Sequence, residues 1–205
     1  MVKLFFSSGS CSLAPHIVLE WVGEPYESQK VQLGDPEYFK INPLGAVPAL
    51  IDGESGIMTQ ASAILQYLAN KYPQAKLGDD GTLKGSFELQ KWLAFFTGDV
   101  HPAFYPFFMP YRYTTSKFPT TVDLAKEASE TLVNKVFSHL DQHLEGKNHI
   151  VGERRTVADP YAFVMIRWGK YLPKPLSDYP NVYRFYQQML KDEGVKRAMA
   201  QHGID

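Results

Sequence analysis

The residue best suited to chemistry in this sequence is Cys11, the single cysteine among 205 residues. It follows a predicted strand at 3–6 and a Gly-Ser turn, and it stands at a predicted helix start. Free N–H groups and the helix dipole favour a thiolate there, able to attack a disulfide or hold a thiol ligand as a mixed disulfide. Alternatively, Cys11 is only a small buried residue at a crowded turn. Ser10 and Ser12 donate to such a thiolate or merely cap the helix.

Histidines offer two further candidates. His101 lies near the end of a helix predicted at 87–100, where it either faces the Cys11 side of a cleft or contacts the last helix carbonyls. His139 and His143 stand four residues apart, a spacing that suits two metal ligands. No third ligand is evident, so we interpret this pair as a solvated helix face and predict no metal site.

Residues 42–67 form a compact frame that suits an anionic ligand. Pro48 opens a strand, a Gly-rich turn pairs 57–58 back onto 49–51, and residues 59–62 begin a helix. A helix N-terminus presents free N–H groups, which bind anions well. The frame therefore predicts an anion held against backbone donors.

The elements that position these residues divide the chain in two. The first 72 residues follow the order β-α-β-α-β-β-α, with Asp35-Pro36-Glu37 as a strong helix start. This is the order of a thioredoxin-like domain with a parallel strand pair and an antiparallel hairpin. We predict an α/β domain at 1–78 and a linker within 72–86.

Beyond this linker the sequence predicts an all-helical domain at 86–205. An aromatic segment at 104–113 is predicted to be broken by its two prolines, Pro106 and Pro110, and a long helix is predicted at 122–144. A capping box, Thr156 to Asp159, precedes an apolar helix at 161–168. Two more helices are predicted at 181–189 and 195–201.

Composition and charge argue against some classes of function. The net charge is −1, and the basic residues form no stripe with aromatics, which disfavours a nucleic-acid partner. A single cysteine excludes an internal disulfide and fits a reducing cytoplasm. We recognise neither a secretory signal nor a run long enough for a membrane span.

Several motifs together resemble the cytosolic glutathione transferases. They are Phe-Phe-Ser-Ser-Gly-Ser-Cys-Ser-Leu-Ala at 5–14, Asn-Pro-Leu-Gly-Ala-Val-Pro-Ala-Leu at 42–50, Gln-Ala-Ser-Ala-Ile at 60–64 and the capping box. Cys11, with Trp92 and His101 at the matching interval, resembles the bacterial beta class. The resemblance implies a homodimeric transferase that uses glutathione as co-substrate, with a thioredoxin-like domain followed by a helical domain.

The resemblance also implies a binding site for glutathione. The Val47 backbone would pair with the cysteinyl part, next to a cis bond to Pro48. Gln60 and Ala61 would hold the γ-glutamyl end at a helix N-terminus.

The same resemblance places catalytic residues around the glutathione sulfur. Cys11, Ser10 and His101 would surround it, while Gly98 and Asp99 would reach it from the second subunit. Asp99 would pair with the α-amino group. An apolar electrophile would bind over four aromatic residues of the helical domain: Phe107, Phe108, Tyr111 and Trp168.

Some positions depart from the family pattern. Gln60-Ala61 stands where an acid-Ser pair is usual, and one lost hydroxyl contact costs about 0.5–1.5 kcal/mol. Ala94 stands where the beta class often has Asn, and the segment 33–37 lacks a lysine that often reaches the glycyl carboxylate. Phe6 replaces the tyrosine of Tyr-type members.

Three hypotheses follow. The first is a glutathione transferase that presents the glutathione thiolate to an electrophile. The second is a glutathione-dependent thiol–disulfide oxidoreductase or peroxidase with Cys11 as nucleophile, in which a second glutathione releases the mixed disulfide. The third is a non-enzymatic ligand carrier or regulator, which the altered Gln60-Ala61 pair favours.

Overall fold

The computed structural model describes residues 1–53, 55–116 and 118–205. The first part of the chain folds around a four-stranded sheet with the order β2-β1-β3-β4. β1 is parallel to β2 and antiparallel to β3, and β3 forms a hairpin with β4. The strands are β1 (Val2–Phe6), β2 (Tyr26–Lys30), β3 (Ala49–Asp52) and β4 (Ile57–Thr59). The predicted thioredoxin-like arrangement is confirmed.

Three helices accompany this sheet: α1 (Leu13–Val22), α2 (Pro36–Ile41) and α3 (Ala61–Lys71). α1 ends at Gly23, whose φ of 76° is the left-handed conformation that favours glycine. The Asp35 side chain accepts from the Glu37 N–H at 2.9 Å and starts α2, as predicted.

The second part of the described chain is helical and contains no strand among the residues described there. Its helices are α4 (Leu83–Phe95), α5 (His101–Phe108), α6 (Pro119–His143), α7 (Ala158–Trp168), α8 (Pro180–Met189) and α9 (Glu193–His202). A π-helical turn, Phe96–Val100, joins α4 to α5. This confirms the all-helical class predicted for the C-terminal part.

The predicted break at Pro106 is wrong. α5 begins at His101 and passes through Pro106 to Phe108. Proline forfeits one helical hydrogen bond, but α5 packs along α6 and buries Ala103 and Phe104, and packing of this kind supplies most helix stability in proteins. Because the backbone stays helical from α4 through the π-helical turn into α5, His101 lies within a continuous helical segment and not near its end.

Parts of the predicted linker belong to the folded core. α4 already begins at Leu83, because Thr82 accepts a hydrogen bond from the Gly85 N–H at 2.9 Å. Leu77 is buried, and its carbonyl accepts from the Val157 N–H at 2.9 Å. The linker thus lies against the helical part, and the boundaries at 78 and 86 stay predictions.

The capping box predicted before α7 is confirmed. Asp159 Oδ2 accepts from the Thr156 N–H at 2.6 Å, and Oδ1 accepts from the Ile150 N–H at 2.9 Å. α7 is buried along its whole length and packs against α1. The box therefore fixes the helix that carries Trp168 to the junction of the two parts.

His143 is half-buried, so the interpretation of the histidine pair as a solvated face is wrong for it. Its ring centroid lies 3.9 Å from that of Trp92, and its Nε2 is 2.8 Å from the Ile150 carbonyl. His139 stacks on the same indole at 5.8 Å. The described residues contain no group of three or more His, Cys, Asp or Glu arranged to hold a metal.

Among residues 1–53, 55–116 and 118–205, none of the helices combines the length and apolar character needed to cross a bilayer.

Candidate functional site

A cavity of about 160 Å³ lies where the two parts of the chain meet. The α/β part contributes residues from the start of α1, the segment before β3 and the start of α3: Cys11, Asn42, Val47, Pro48, Gln60 and Ala61. The helical part contributes Thr97, His101, Tyr105 and Tyr161. The structure therefore brings together six of the residues that the sequence singled out.

The segment before β3 is held by hydrogen bonds to one carbonyl. Asn42 Nδ2 donates to the Ala46 carbonyl at 2.6 Å, and the Tyr38 hydroxyl donates to it at 2.8 Å. The Val47–Pro48 peptide bond is cis, as the resemblance implied. These contacts place the Val47 backbone at the cavity wall.

Gln60 enters α3 in a strained conformation. Its φ is 73° and its ψ 114°, a combination that costs a residue other than glycine about 1–3 kcal/mol. Its side chain caps no helix N–H, and the first turn of α3 carries no acidic residue. The N-terminal donors of α3 are thus left for an anion at this end of the cavity.

Cys11 is a neutral thiol in this structure. It is 7% exposed, and its S–H donates to the Val47 carbonyl at 3.2 Å. Burial raises the pKa of the Cys11 thiol to about 12. In the unliganded chain, burial therefore favours the alternative interpretation of Cys11 as a small buried residue, because desolvation outweighs the helix N-terminus, and its chemical role stays a prediction.

His101 lies on the opposite wall, where burial lowers the pKa of its imidazole to about 4. Its ring centroid is 4.8 Å from that of Tyr105 and 5.0 Å from that of Trp168. Neither ring nitrogen hydrogen-bonds to a described residue. His101 is therefore a neutral imidazole with a free N–H donor beside the cavity.

Ser10 is not brought into the cavity. Its hydroxyl donates to the Ser7 carbonyl at 2.8 Å and lies 2.6 Å from the Ser12 hydroxyl. These bonds close the β1–α1 turn, so the hydroxyl of Ser10 serves the turn, the alternative role for serines at a helix start.

The four aromatic residues predicted to bind an electrophile differ in their exposure to solvent. Phe108 is 41% exposed and packs edge-on against Phe107 and Trp168 at 5.3 and 5.5 Å between centroids. Trp168 is 6% exposed, and its N–H donates to the Gly9 carbonyl at 2.8 Å. Tyr111 is 70% exposed beyond the end of α5. Trp168 therefore mainly holds the turn that carries Cys11.

Gly98 and Asp99 lie on the exposed surface of the π-helical turn. Within one chain they do not line the cavity. Their position is compatible with a reach toward another subunit.

The cavity contains polar residues that the sequence reasoning missed as a set. Thr97, His101 and Tyr105 recur at four-residue spacing and share one helical face, a signal available in the sequence. Thr97 donates to the Leu93 carbonyl at 2.9 Å, so Tyr161 must donate to the Thr97 hydroxyl at 3.3 Å. The Tyr161 hydroxyl therefore has no proton left to donate to a ligand.

Comparison with known proteins gives a consistent result over the whole chain. The family models "Glutathione S-transferase, N-terminal domain" and "Glutathione S-transferase, C-terminal domain" match residues 2–70 and 99–193. A glutathione S-transferase of Xanthomonas campestris pv. campestris is 36% identical over 207 residues, with 100% of both chains covered.

Solved structures agree. A beta-class glutathione S-transferase of Sphingomonas chungbukensis is 36% identical with a TM-score of 0.87, covering 99% of this chain and 100% of that one. A sphingomonad glutathione S-transferase complexed with glutathione is 33% identical with the same TM-score and coverage. With its thioredoxin-like sheet, its helical domain and the cavity between them, this chain belongs to the glutathione S-transferase family and is most like the beta class.

Proposed function

We propose that this chain is a transferase that conjugates the thiolate of glutathione to small apolar electrophiles. The observation that carries the proposal is that one cavity is lined by Cys11, Val47, the open N-terminus of α3 and His101. It offers donors for a carboxylate at one end and for a sulfur at the other. A relative of 33% identity has been solved in complex with glutathione.

Binding would rest on backbone groups. The γ-glutamyl carboxylate would accept from the free N–H groups at Gln60 and Ala61, where a helix N-terminus favours negative charge. The cysteinyl N–H of glutathione would donate to the Val47 carbonyl. That oxygen already accepts from Cys11, and it has a second lone pair to offer.

The chemistry would require a stabilised glutathione thiolate. The glutathione thiol loses its proton to solvent, its sulfur forms a bond to the electrophilic carbon, and a leaving group departs with its electron pair. His101 would contribute by donating an N–H to the sulfur, since its imidazole is neutral and free. Cys11 would pack beside the sulfur as a thiol without a covalent role.

The electrophile would lie over the exposed face of Phe108, next to Phe107, Tyr111 and Trp168. We also propose a homodimer in the cytoplasm, in which Asp99 from one chain pairs with the glutathione α-amino group in its partner. Its exposed position on the π-helical turn supports this.

The oxidoreductase hypothesis is disfavoured by the state of Cys11. Burial raises the pKa of the Cys11 thiol to about 12, which leaves little thiolate to act as a nucleophile at neutral pH. Its place in the cavity keeps a mixed disulfide sterically feasible. The non-enzymatic hypothesis fits poorly with full-length identity to transferases.

A Cys11→Ala variant separates these functions. Under the proposal it retains glutathione binding by calorimetry and most of its conjugation of 1-chloro-2,4-dinitrobenzene. If the variant instead loses glutathione-dependent disulfide reduction while its glutathione affinity is unchanged, Cys11 is the nucleophile of an oxidoreductase. A wild-type chain without measurable glutathione binding would refute the transferase proposal itself.

A further inference from the structure

Almost every S–H and O–H group around the Cys11 end of the cavity already donates a hydrogen bond within the protein. The Cys11 thiol donates to the Val47 carbonyl, and the Ser10 hydroxyl donates to the Ser7 carbonyl. The Tyr38 hydroxyl donates to the Ala46 carbonyl, and the Tyr161 hydroxyl donates to the Thr97 hydroxyl. None of these groups can serve a ligand without breaking an existing hydrogen bond.

Tyr105 is different. Its side chain lines the cavity together with Cys11 and His101, yet its hydroxyl makes no hydrogen bond to any described residue. Thr59 also has a free hydroxyl, but it directly precedes Gln60 and so belongs to the γ-glutamyl end. At the sulfur end, Tyr105 is therefore the hydroxyl left with a proton to donate.

The ring of Tyr105 is held in place from two sides. Its centroid is 4.8 Å from that of His101, one helical turn earlier, and 5.7 Å from the Arg112 guanidinium carbon. Because the ring is fixed, little conformational entropy is lost when its hydroxyl binds a ligand. Burial also raises the pKa of the Tyr105 phenol, which keeps it protonated at neutral pH.

We infer that the Tyr105 hydroxyl is a catalytic donor that, beside the His101 imidazole, hydrogen-bonds the sulfur of bound glutathione. This inference rests on the proposed function of the cavity. Tyr105 would supply from the helical domain the phenol that Phe6 cannot supply from β1. A donor directed at the sulfur stabilises the thiolate more than the thiol, so it lowers the pKa of the bound thiol.

The test is Tyr105→Phe, which removes the hydroxyl and keeps the ring. We expect the pKa of bound glutathione, followed by thiolate ultraviolet absorbance, to rise by about one unit, and kcat/KM for 1-chloro-2,4-dinitrobenzene at pH 6.5 to fall about tenfold. The matched control is Tyr113→Phe, because Tyr113 is 54% exposed and does not line the cavity. It should match the wild type.

S-methylglutathione separates catalysis from folding, because this ligand has no ionisable thiol. Its affinity, measured by calorimetry, should be the same for Tyr105→Phe and the wild type, which would show an intact site. An unchanged pKa of the bound thiol in Tyr105→Phe overturns the inference while the transferase proposal stands. A wild-type chain that binds neither peptide overturns both.

Discussion

The cavity around His101 and the buried polar cluster around His202 contain similar side chains in opposite hydrogen-bonding states. Burial lowers the pKa of both imidazoles, to about 4 for His101 and about 3 for His202. His101 has no hydrogen-bond partner among the described residues. His202 is fully buried, and both of its ring nitrogens are paired.

The cluster, which we define as Gly9, His202, His16, Tyr26 and Glu20, is one continuous chain of hydrogen bonds. The Gly9 N–H donates to His202 Nδ1 at 3.2 Å, so His202 Nε2 must donate to His16 Nδ1 at 3.1 Å. His16 Nε2 lies 3.1 Å from the Tyr26 hydroxyl, which donates to Glu20. The first N–H therefore fixes the tautomer of both histidines.

The two sites separate the groups that hold the fold from the groups that are free to bind a ligand. Satisfied buried polar groups hold α9 and the β1–α1 turn together, and through that turn they position Cys11. The unpaired imidazole of His101, by contrast, lines a cavity that a ligand can fill. We therefore expect changes in the cluster to affect stability and changes at His101 to affect activity.

The largest effect should come from His202→Ala. It leaves a cavity and orphans the Gly9 N–H and a His16 nitrogen, so the free energy of unfolding should fall by about 3–4 kcal/mol. Urea denaturation measures this. His101→Ala is the comparison, and a loss as large there would erase the distinction between the two sites.

Acid should destabilise the fold through the cluster. The folded pKa of His202, about 3, lies below its unfolded value, so the unfolded chain binds protons first and stability falls as pH drops below about 6.5. His202 alone should cost about 2 kcal/mol between pH 7 and pH 5. Burial also lowers the pKa of His16 and of His101, so both add to this loss of stability.

The control for this pH dependence is His202→Gln, which cannot take up a proton. Its free energy of unfolding, measured by urea titration at each pH, should vary less between pH 7 and pH 5 than that of the wild type. An equally steep dependence would show that the protons go elsewhere.

A smaller effect is expected for His101→Leu, a variant whose side chain has no N–H to donate. Loss of the imidazole N–H should lower kcat/KM for 1-chloro-2,4-dinitrobenzene about tenfold, since a directed donor to the sulfur is lost. Stability should change by less than about 0.5 kcal/mol, because no existing hydrogen bond is broken. Steady-state kinetics and urea denaturation of the same preparation give both values.

The smallest effect should come from Ala61→Ser. Ala61 lines the cavity at the start of α3, and a serine there restores one hydroxyl donor toward the γ-glutamyl carboxylate. Affinity for glutathione should rise by about 1 kcal/mol, roughly fivefold. Calorimetric titration decides, and unchanged or weaker binding would mean that the carboxylate lies elsewhere.

Local signals were sufficient for much of the fold. The start at Asp35 and the box at Thr156 to Asp159 act within four residues, so the sequence predicts them directly. Pro106 misled because its local cost is offset by packing of α5 on α6, which is a tertiary effect. The sequence did not predict that α4 begins at Leu83, because the residues there show no strong hydrophobic periodicity.

The protonation and hydrogen bonding of the site residues could not be predicted from the sequence alone. Helix position alone predicts a thiolate at Cys11, whereas the burial that keeps it a thiol depends on Val47 and the helical domain. His16 and His202 lie 186 residues apart in sequence, so no local pattern indicates their contact. The four-residue spacing of His101 and Tyr105 is present in the sequence, but whether their polar atoms are free is a three-dimensional property.

A crystal structure after soaking with glutathione would show directly where the peptide and its sulfur bind. We predict the γ-glutamyl carboxylate at the N-terminus of α3 and the sulfur within hydrogen-bonding distance of His101 and the Tyr105 hydroxyl, with Cys11 unmodified. A disulfide between the ligand and Cys11, or glutathione bound outside this cavity, would contradict the account.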